Sequence, residues 1–241
     1  SGGLWWTANN GASWDFNSIH VAPHSGTWAS VVTLGINSSS HIYIQSERSF
    51  NGGNNFNPFF QISNQFAYDY EFTPGSIYAA TNQEIYRSTN GGTVWNNISE
   101  SLQKENTVVN IKVNASGDIF AATSASGIWI STDNGTSWNA SNTGLGNMEM
   151  TTLETDSNGK LYAGTKNGLY TSDNNGASWT ASHNGIIFPR IQSIHIKAND
   201  KIFAGTGKNG VFFSSDGGQS WHARNNGMYL HNITGLTFNN S

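Results

Sequence analysis

Short runs of alternating apolar and polar residues, separated by turn residues, fill this chain and predict β-strands throughout. The stretch from Val109 to Leu145 shows the pattern most clearly. Val109 to Val113 forms a first strand, and Asn114-Ala115-Ser116-Gly117 turns the chain into a second strand, Asp118 to Thr123. Ser124 to Gly127 makes a hairpin to a third strand, Ile128 to Ser131, and a fourth begins at Trp138. Asn142-Thr143-Gly144-Leu145 then leads onward, and segments from Ile77, Leu161 and Ile202 repeat the scheme.

Between the third and fourth strands stands a fixed box: Ser or Thr, any residue, Asn or Asp, any residue, Gly, two residues, then an aromatic. Asn9, Asn51, Asn90, Asp133, Asn174 and Asp216 hold its polar position, and Trp14, Phe56, Trp95, Trp138, Trp179 and Trp221 close it. The closing aromatics lie 42, 39, 43, 41 and 42 residues apart, a period that matches a four-stranded propeller blade. The short polar side chain accepts hydrogen bonds from its own turn. The Gly permits positive φ, and the aromatic buries a large face between neighbouring sheets. An all-β propeller of six blades, folded as one domain over residues 1–241, is the expected architecture.

Composition narrows the function. Charged residues are 11% of the chain and the net charge is −4, with no Lys/Arg cluster, which argues against a nucleic-acid partner. No run of 18 apolar residues predicts membrane insertion. Without cysteine there is no disulfide framework. The Asn, Ser and Thr content and few lysines suit a secreted surface, so an extracellular or periplasmic protein is expected, either processed or excised from a longer one.

The box sequence and its spacing are similar to the Asp-box, or BNR, repeats of β-propellers found in sialidases, xyloglucan-active glycosidases, sortilin-type receptors and photosystem II assembly factors. The phrases AGTKNGLY and AATSASGIW also resemble propeller repeats of bacterial two-component sensors. The resemblance implies the propeller fold and places the boxes at the blade periphery, away from any catalytic site; it implies no particular activity. Asn replaces Asp in four boxes, which argues against Ca²⁺ in these loops, and no cofactor or metal is expected.

The chain starts on a third strand, Gly3 to Thr7, and ends on a first strand, Asn232 to Asn239. A closing blade shared between the termini is therefore expected, with no segment to serve as its second strand: either the blade has three strands, or another segment or molecule supplies the fourth, or the chain is cut from a longer array. The edge so left would invite association between copies.

Each first strand should line the axial channel, and aligning them predicts a ring of His20, Glu71, Lys112, Glu154, His195 and Thr237. These residues solvate the channel and pair with one another; the competing reading is a small-ligand or metal site of His20, His195, Glu71 and Glu154. Loops from each fourth strand to the next first strand emerge on one face, opposite the boxes. That face should bind the ligand, through Phe59, Phe60, Gln61, Met148, Glu149, Phe188, Arg190, Tyr229 and His231.

A sialidase would need three clustered arginines, whereas the chain has four in all, Arg48, Arg87, Arg190 and Arg224, with Arg190 alone on the loop face and no Arg-Ile-Pro signature. A glycoside hydrolase needs two carboxylates about 5 to 10 Å apart, for which Glu149, Glu154 and Glu71 are the candidates. The sequence favours a non-catalytic recognition module for a glycan or protein partner. A glycoside hydrolase and an assembly scaffold without a small ligand are the alternatives.

Overall fold

The computed structural model describes residues 59–60, 62, 67–102, 107–187, 189–197, 201–229 and 232–236, together with the backbone of short strands before residue 59. Those early strands are β1 (Leu4–Trp6) and β2 (Asp15–Asn17), which pair as a hairpin, then β3 (Leu34–Ile36), β4 (Ile42–Ile44), β5 (Glu47–Ser49) and β6 (Asn57–Pro58). Three further sheets follow: β7 (Asp69–Thr73), β8 (Ser76–Ala80), β9 (Ile85–Ser88) and β10 (Asn96–Asn97); β11 (Val108–Val113), β12 (Ile119–Thr123), β13 (Ile128–Ser131) and β14 (Asn139–Ala140); and β15 (Met150–Thr155), β16 (Leu161–Thr165), β17 (Gly168–Ser172) and β18 (Thr180–Ala181). The last comprises β19 (Ile191–Lys197), β20 (Lys201–Thr206), β21 (Val211–Ser214) and β22 (His222–Ala223). From β3 onward every sheet is a four-stranded antiparallel meander, and the first strands β3, β7, β11, β15 and β19 are neighbours in turn. That is the radial arrangement of propeller blades.

The core lies between sheets. Trp138 of one sheet packs with Tyr78 and Ile85 of the sheet before it, Trp179 with Phe120 and Ile128, and Trp221 with Tyr162 and Leu169. Each Trp indole then donates to a carbonyl of the preceding blade: Trp138 to Ile98 at 2.9 Å, Trp179 to Ser141 at 2.8 Å and Trp221 to Ser182 at 2.8 Å. Burying one such side chain contributes on the order of 2 to 3 kcal/mol. The bond satisfies the one polar atom that burial would strand. Trp95 packs in the same way, against Phe59 and Phe60, but its indole nitrogen finds no acceptor among the described residues.

The box works as its sequence indicates. In the copy at Asp133, the Ser131 hydroxyl donates to the carboxylate at 2.8 Å and accepts from the Gly135 amide at 2.8 Å, while Ser137 N–H donates to Asp133 at 2.9 Å. Asn90 and Asn174 accept the matching bonds with an amide oxygen, so Asn braces the turn as Asp does. Asp133 and Asp216 are each held well below the usual carboxylate range, at about 2, first by the hydroxyls of Ser137 and Ser220.

One inner strand differs from the sequence reading. The first strand of the first complete sheet is Leu34–Ile36, so Gly35, paired with Tyr43, takes the position that aligns with Lys112 paired with Phe120. His20 precedes that strand by a long insertion and lies outside the described residues, as does Thr237. At the C-terminal side, Ile233 is buried against Phe203 and Val211 and its amide bonds the Thr206 carbonyl, so the chain reaches the next inner position; of the strand expected at residues 232–239, residues 232–236 are described and are not in a strand ladder.

The connections after β14, β18 and β22 carry a glycine, Gly144, Gly185 and Gly227, where the connection after β10 has Ser101. A Cβ on Gly144 would fall 2.1 Å from the Trp179 carbonyl oxygen, and its φ is +90°. Gly159 has a similar φ of +85° but open space around it. Gly159→Ala should therefore cost about 1 kcal/mol from the left-handed backbone alone. Gly144→Ala adds a backbone clash and should cost about 3 kcal/mol or more, a difference that urea unfolding of the two variants measures.

Candidate functional site

Period-two side-chain direction puts two layers of inner-strand residues on one face of each blade. The first layer is Glu71, Lys112, Glu154 and His195, each directly opposite a buried aromatic: Tyr78, Phe120, Tyr162 and Phe203. The second, two residues earlier, is Asp69, Asn110, Thr152 and Ser193, opposite Ala80, Ala122, Gly164 and Gly205. Large partners fill the wide space between blades, and small ones let the next inner strand approach: a Cβ on Gly164 would meet Ile191 at 2.7 Å.

Lys112 is the hub of the first layer. Its Nζ lies 3.1 Å from Glu71 and 3.3 Å from Glu154, with all three side chains between 14% and 29% exposed. Burial alone would push the lysine pKa down, yet Glu154, Glu71 and Asp69 together hold it above its usual range. Burial pushes the Glu154 carboxyl up despite Lys112. His195, one blade on, is pushed below its ordinary value by burial first and then by Lys112 and Lys197, so its ring is neutral at pH 7.

Asp69 belongs to this cluster although the sequence reading passed over it. Its carboxylate accepts from the Ile111 amide at 2.9 Å and from the Asn110 side chain, and Asn110 in turn accepts from the Leu153 amide at 2.6 Å. Side chains thus stitch three inner strands that share no backbone ladder. Full burial raises the Asp69 pKa to about 7, against the opposing pull of Lys112. The signal was present: Asp69, Asn110, Thr152 and Ser193 stand two places before Glu71, Lys112, Glu154 and His195, on the same face.

This arrangement is poorly suited to glycoside hydrolysis, because Lys112 occupies the space between Glu71 and Glu154 where a sugar would have to lie. Glu149 is elsewhere, on the loop face, in an ion pair with Lys166. Among the described residues no three His, Asp or Glu groups converge to hold a metal ion.

The loop face is built from the connections between blades and the turns between second and third strands. Backbone bonds join them: Ser124 N–H to Thr107 at 2.9 Å, Lys166 N–H to Glu149 at 3.0 Å and Gly207 N–H to Arg190 at 3.0 Å. Met148 (38% exposed), Arg190 and Tyr229 (90%) stand on it in the open, joined by Ile187 (66%), which the sequence reading did not single out. Phe59 and Phe60 are not part of it. They are 6% and 2% exposed, pressed edge-on against Trp95 at 5.5 and 5.1 Å, because the first residues after each fourth strand run beneath the next box. Gln61, Phe188 and His231 lie outside the described residues.

The inner cluster makes stability depend on pH. Asp69 titrates at 3.8 in an unfolded chain and at about 7 in the fold. The fold therefore keeps a proton that the unfolded chain releases, and stability falls as pH rises through that window, then levels. Asp69→Asn should melt like the parent at pH 4 and several degrees higher at pH 8. Lys112→Met leaves its carboxylates uncompensated and should lose about 3 kcal/mol at pH 8, with much of it recovered at pH 4. Thermal and urea melts at the two pH values check both.

Comparison with known proteins agrees with this architecture. A family model described as sortilin, neurotensin receptor 3, matches residues 83–186, and the BNR/Asp-box repeat model matches residues 212–223. No curated protein sequence matches. Among solved structures, the extracellular domain of the hybrid two component system BT3049 from B. thetaiotaomicron superposes with a TM-score of 0.71 at 14% identity, over 96% of this chain and 34% of that one. YCF48 bound to D1 peptide gives 0.58 at 18% identity over 87% of this chain and 70% of that one. The GH74 enzyme of Niastella koreensis gives 0.55 at 19% identity over 79% and 30%. By its boxes, its radial sheets and these likenesses, the chain has a β-propeller fold, and its box repeat at residues 212–223 matches the BNR/Asp-box model.

Proposed function

We propose that this protein is a non-catalytic recognition module that binds a glycan or protein partner through its loop face, in an extracellular or periplasmic setting. The observation that carries the reading is the contrast between the two candidate regions. Among the described residues at the axis, the carboxylates of Glu71, Glu154 and Asp69 are engaged by Lys112 or by Asn110 and so are not set out as a free acid and base facing a substrate. On the loop face Tyr229, Ile187 and Met148 expose apolar surface on a rigid scaffold. Such side chains form contacts with a partner at small entropic cost.

Relatives with the same fold support a binding role. YCF48 is a propeller seen bound to D1 peptide, and the BT3049 propeller is an extracellular domain. The GH74 likeness is of fold, at 19% identity.

Immobilised protein should capture a ligand from a combined glycan and peptide array. Tyr229→Ser should weaken that capture at least tenfold without moving the melting temperature, whereas Glu149→Gln and Glu154→Gln should show no turnover to lose. Hydrolysis of an arrayed glycan that Glu154→Gln abolishes would overturn the reading.

A further inference from the structure

Two neighbouring blades place different charges at one architectural position. In the blade of β15–β18, the connecting-loop residue whose carbonyl accepts from the turn is Glu149, and the turn carries Lys166; the two side chains form an ion pair. In the blade of β19–β22 the same carbonyl belongs to Arg190, which accepts from Gly207, and the turn still carries a lysine, Lys208. Glutamate has become arginine, and the turn's lysine stands one place beyond Gly207, the residue equivalent to Lys166, so this turn brings two cations where its neighbour brings one of each sign.

The loops that carry these cations contain no acidic residue. The segments 182–190, 207–210 and 224–236, which make this end of the blade, contain no Asp or Glu in a protein whose net charge is −4. Arg190 and Lys208 are both exposed. The Arg190 stem lies across the turn, and a Cβ on Gly207 would come 3.1 Å from its Cδ. The same turn gathers the exposed apolar residues: Asn209 donates to the Ile187 carbonyl, and Asn225, at the start of the Tyr229 loop, donates to Asn209 at 2.8 Å. Ile187 is 66% and Tyr229 90% exposed.

Resting on the recognition reading above, we infer that this end of the blade binds an acidic peptide segment of a protein partner: a carboxylate on Arg190 and Lys208, and an adjacent apolar side chain on Ile187 and Tyr229. Arg offers a planar fork to a carboxylate, and Lys a point charge beside it. Ile187 favours a peptide over an anionic glycan. Sugars lie on aromatic faces, whereas an exposed aliphatic side chain complements another apolar side chain.

The test uses a fluorescein-labelled peptide of alternating Glu with Leu and Phe, its Gln counterpart and an oligogalacturonate, each titrated into the whole chain by fluorescence polarisation at low and physiological salt. The acidic peptide should bind, the Gln peptide at least tenfold more weakly, and affinity should fall with salt. Arg190→Glu places at this position the residue type that the neighbouring blade carries there, with the backbone bond to the turn unchanged, so it should fold with an unchanged melting temperature while losing at least tenfold in affinity; Lys208→Glu, at an exposed turn position, should do the same. Equal binding of the Glu and Gln peptides, binding of oligogalacturonate alone, or indifference to both charge reversals would overturn the assignment. An array ligand lost in Tyr229→Ser but retained in Arg190→Glu would overturn it and leave the loop-face reading intact. Array ligands insensitive to every loop-face variant would remove both.

Discussion

Everything else in this fold depends on how one blade grips the next. Successive sheets share no backbone ladder, so the grip must come from side chains and from close backbone approach. The box Trp supplies the first and its neighbouring glycines the second. Trp179 buries its rings in the preceding blade and donates to Ser141 there, while its own backbone amide bonds the Thr143 carbonyl. That second bond is possible only because Gly144 brings the connection against the Trp179 carbonyl. The two contacts reinforce each other. The indole fixes the depth of the joint and the glycine turn its angle, and the Trp221 joint with Gly185 repeats the arrangement.

Toward the axis the constraint changes character. Blades converge there, so large apolar side chains have no room, and the inner strands use small partners and polar bridges. Asp69 to the Ile111 amide and Asn110 to the Leu153 amide are such bridges, and Lys112 between Glu71 and Glu154 is another. Burial makes each of them conditional, because an unpaired member would be a charge with neither water nor partner. The buried acid group thus serves as mortar between strands. Its elevated pKa follows from that placement and is not by itself a sign of catalysis.

How much of this the sequence disclosed depended on whether a residue repeats. The boxes recur at fixed spacing, and so the strands around them, the rim position and the loop face could be placed from the chain alone. Glu71, Lys112 and Glu154 could be brought together because each is the polar residue between mostly apolar neighbours on its first strand. The regularity fails before the first complete sheet, whose inner strand is Leu34–Ile36, while His20 lies outside the described residues. The insertion before Leu34 delays the first inner strand, and the alignment that matters is Leu34-Gly35-Ile36-Asn37 with Ile111-Lys112-Val113-Asn114. Phe59 and Phe60 illustrate a different limit. They fall in a connection, but the start of each connection lies beneath the following box, where Ile98 and Ser141 occupy the place equivalent to Phe59. Knowledge of the three-dimensional joint is needed to see that such loop residues are core.

A repeat protein also contains its own controls, and this is where departures from the repeat become informative. Residues that hold blades together are constrained to similar solutions in every copy, as Ser, Asn or Asp, Gly and Trp are here. The positions of Glu149 and Arg190 are under no such constraint, since their backbones make the same bond to the turn whatever the side chain. A charge inverted at such a position leaves the fold untouched and changes only what the surface can meet. In the blade of β15–β18 the surface neutralises itself through Lys166. In the next blade it does not, and the exposed Ile187 and Tyr229 stand beside the uncompensated cations. Structural regularity accounts for the first case. For the second, the physical gain must come from a group outside the chain, one that brings negative charge and an apolar surface together.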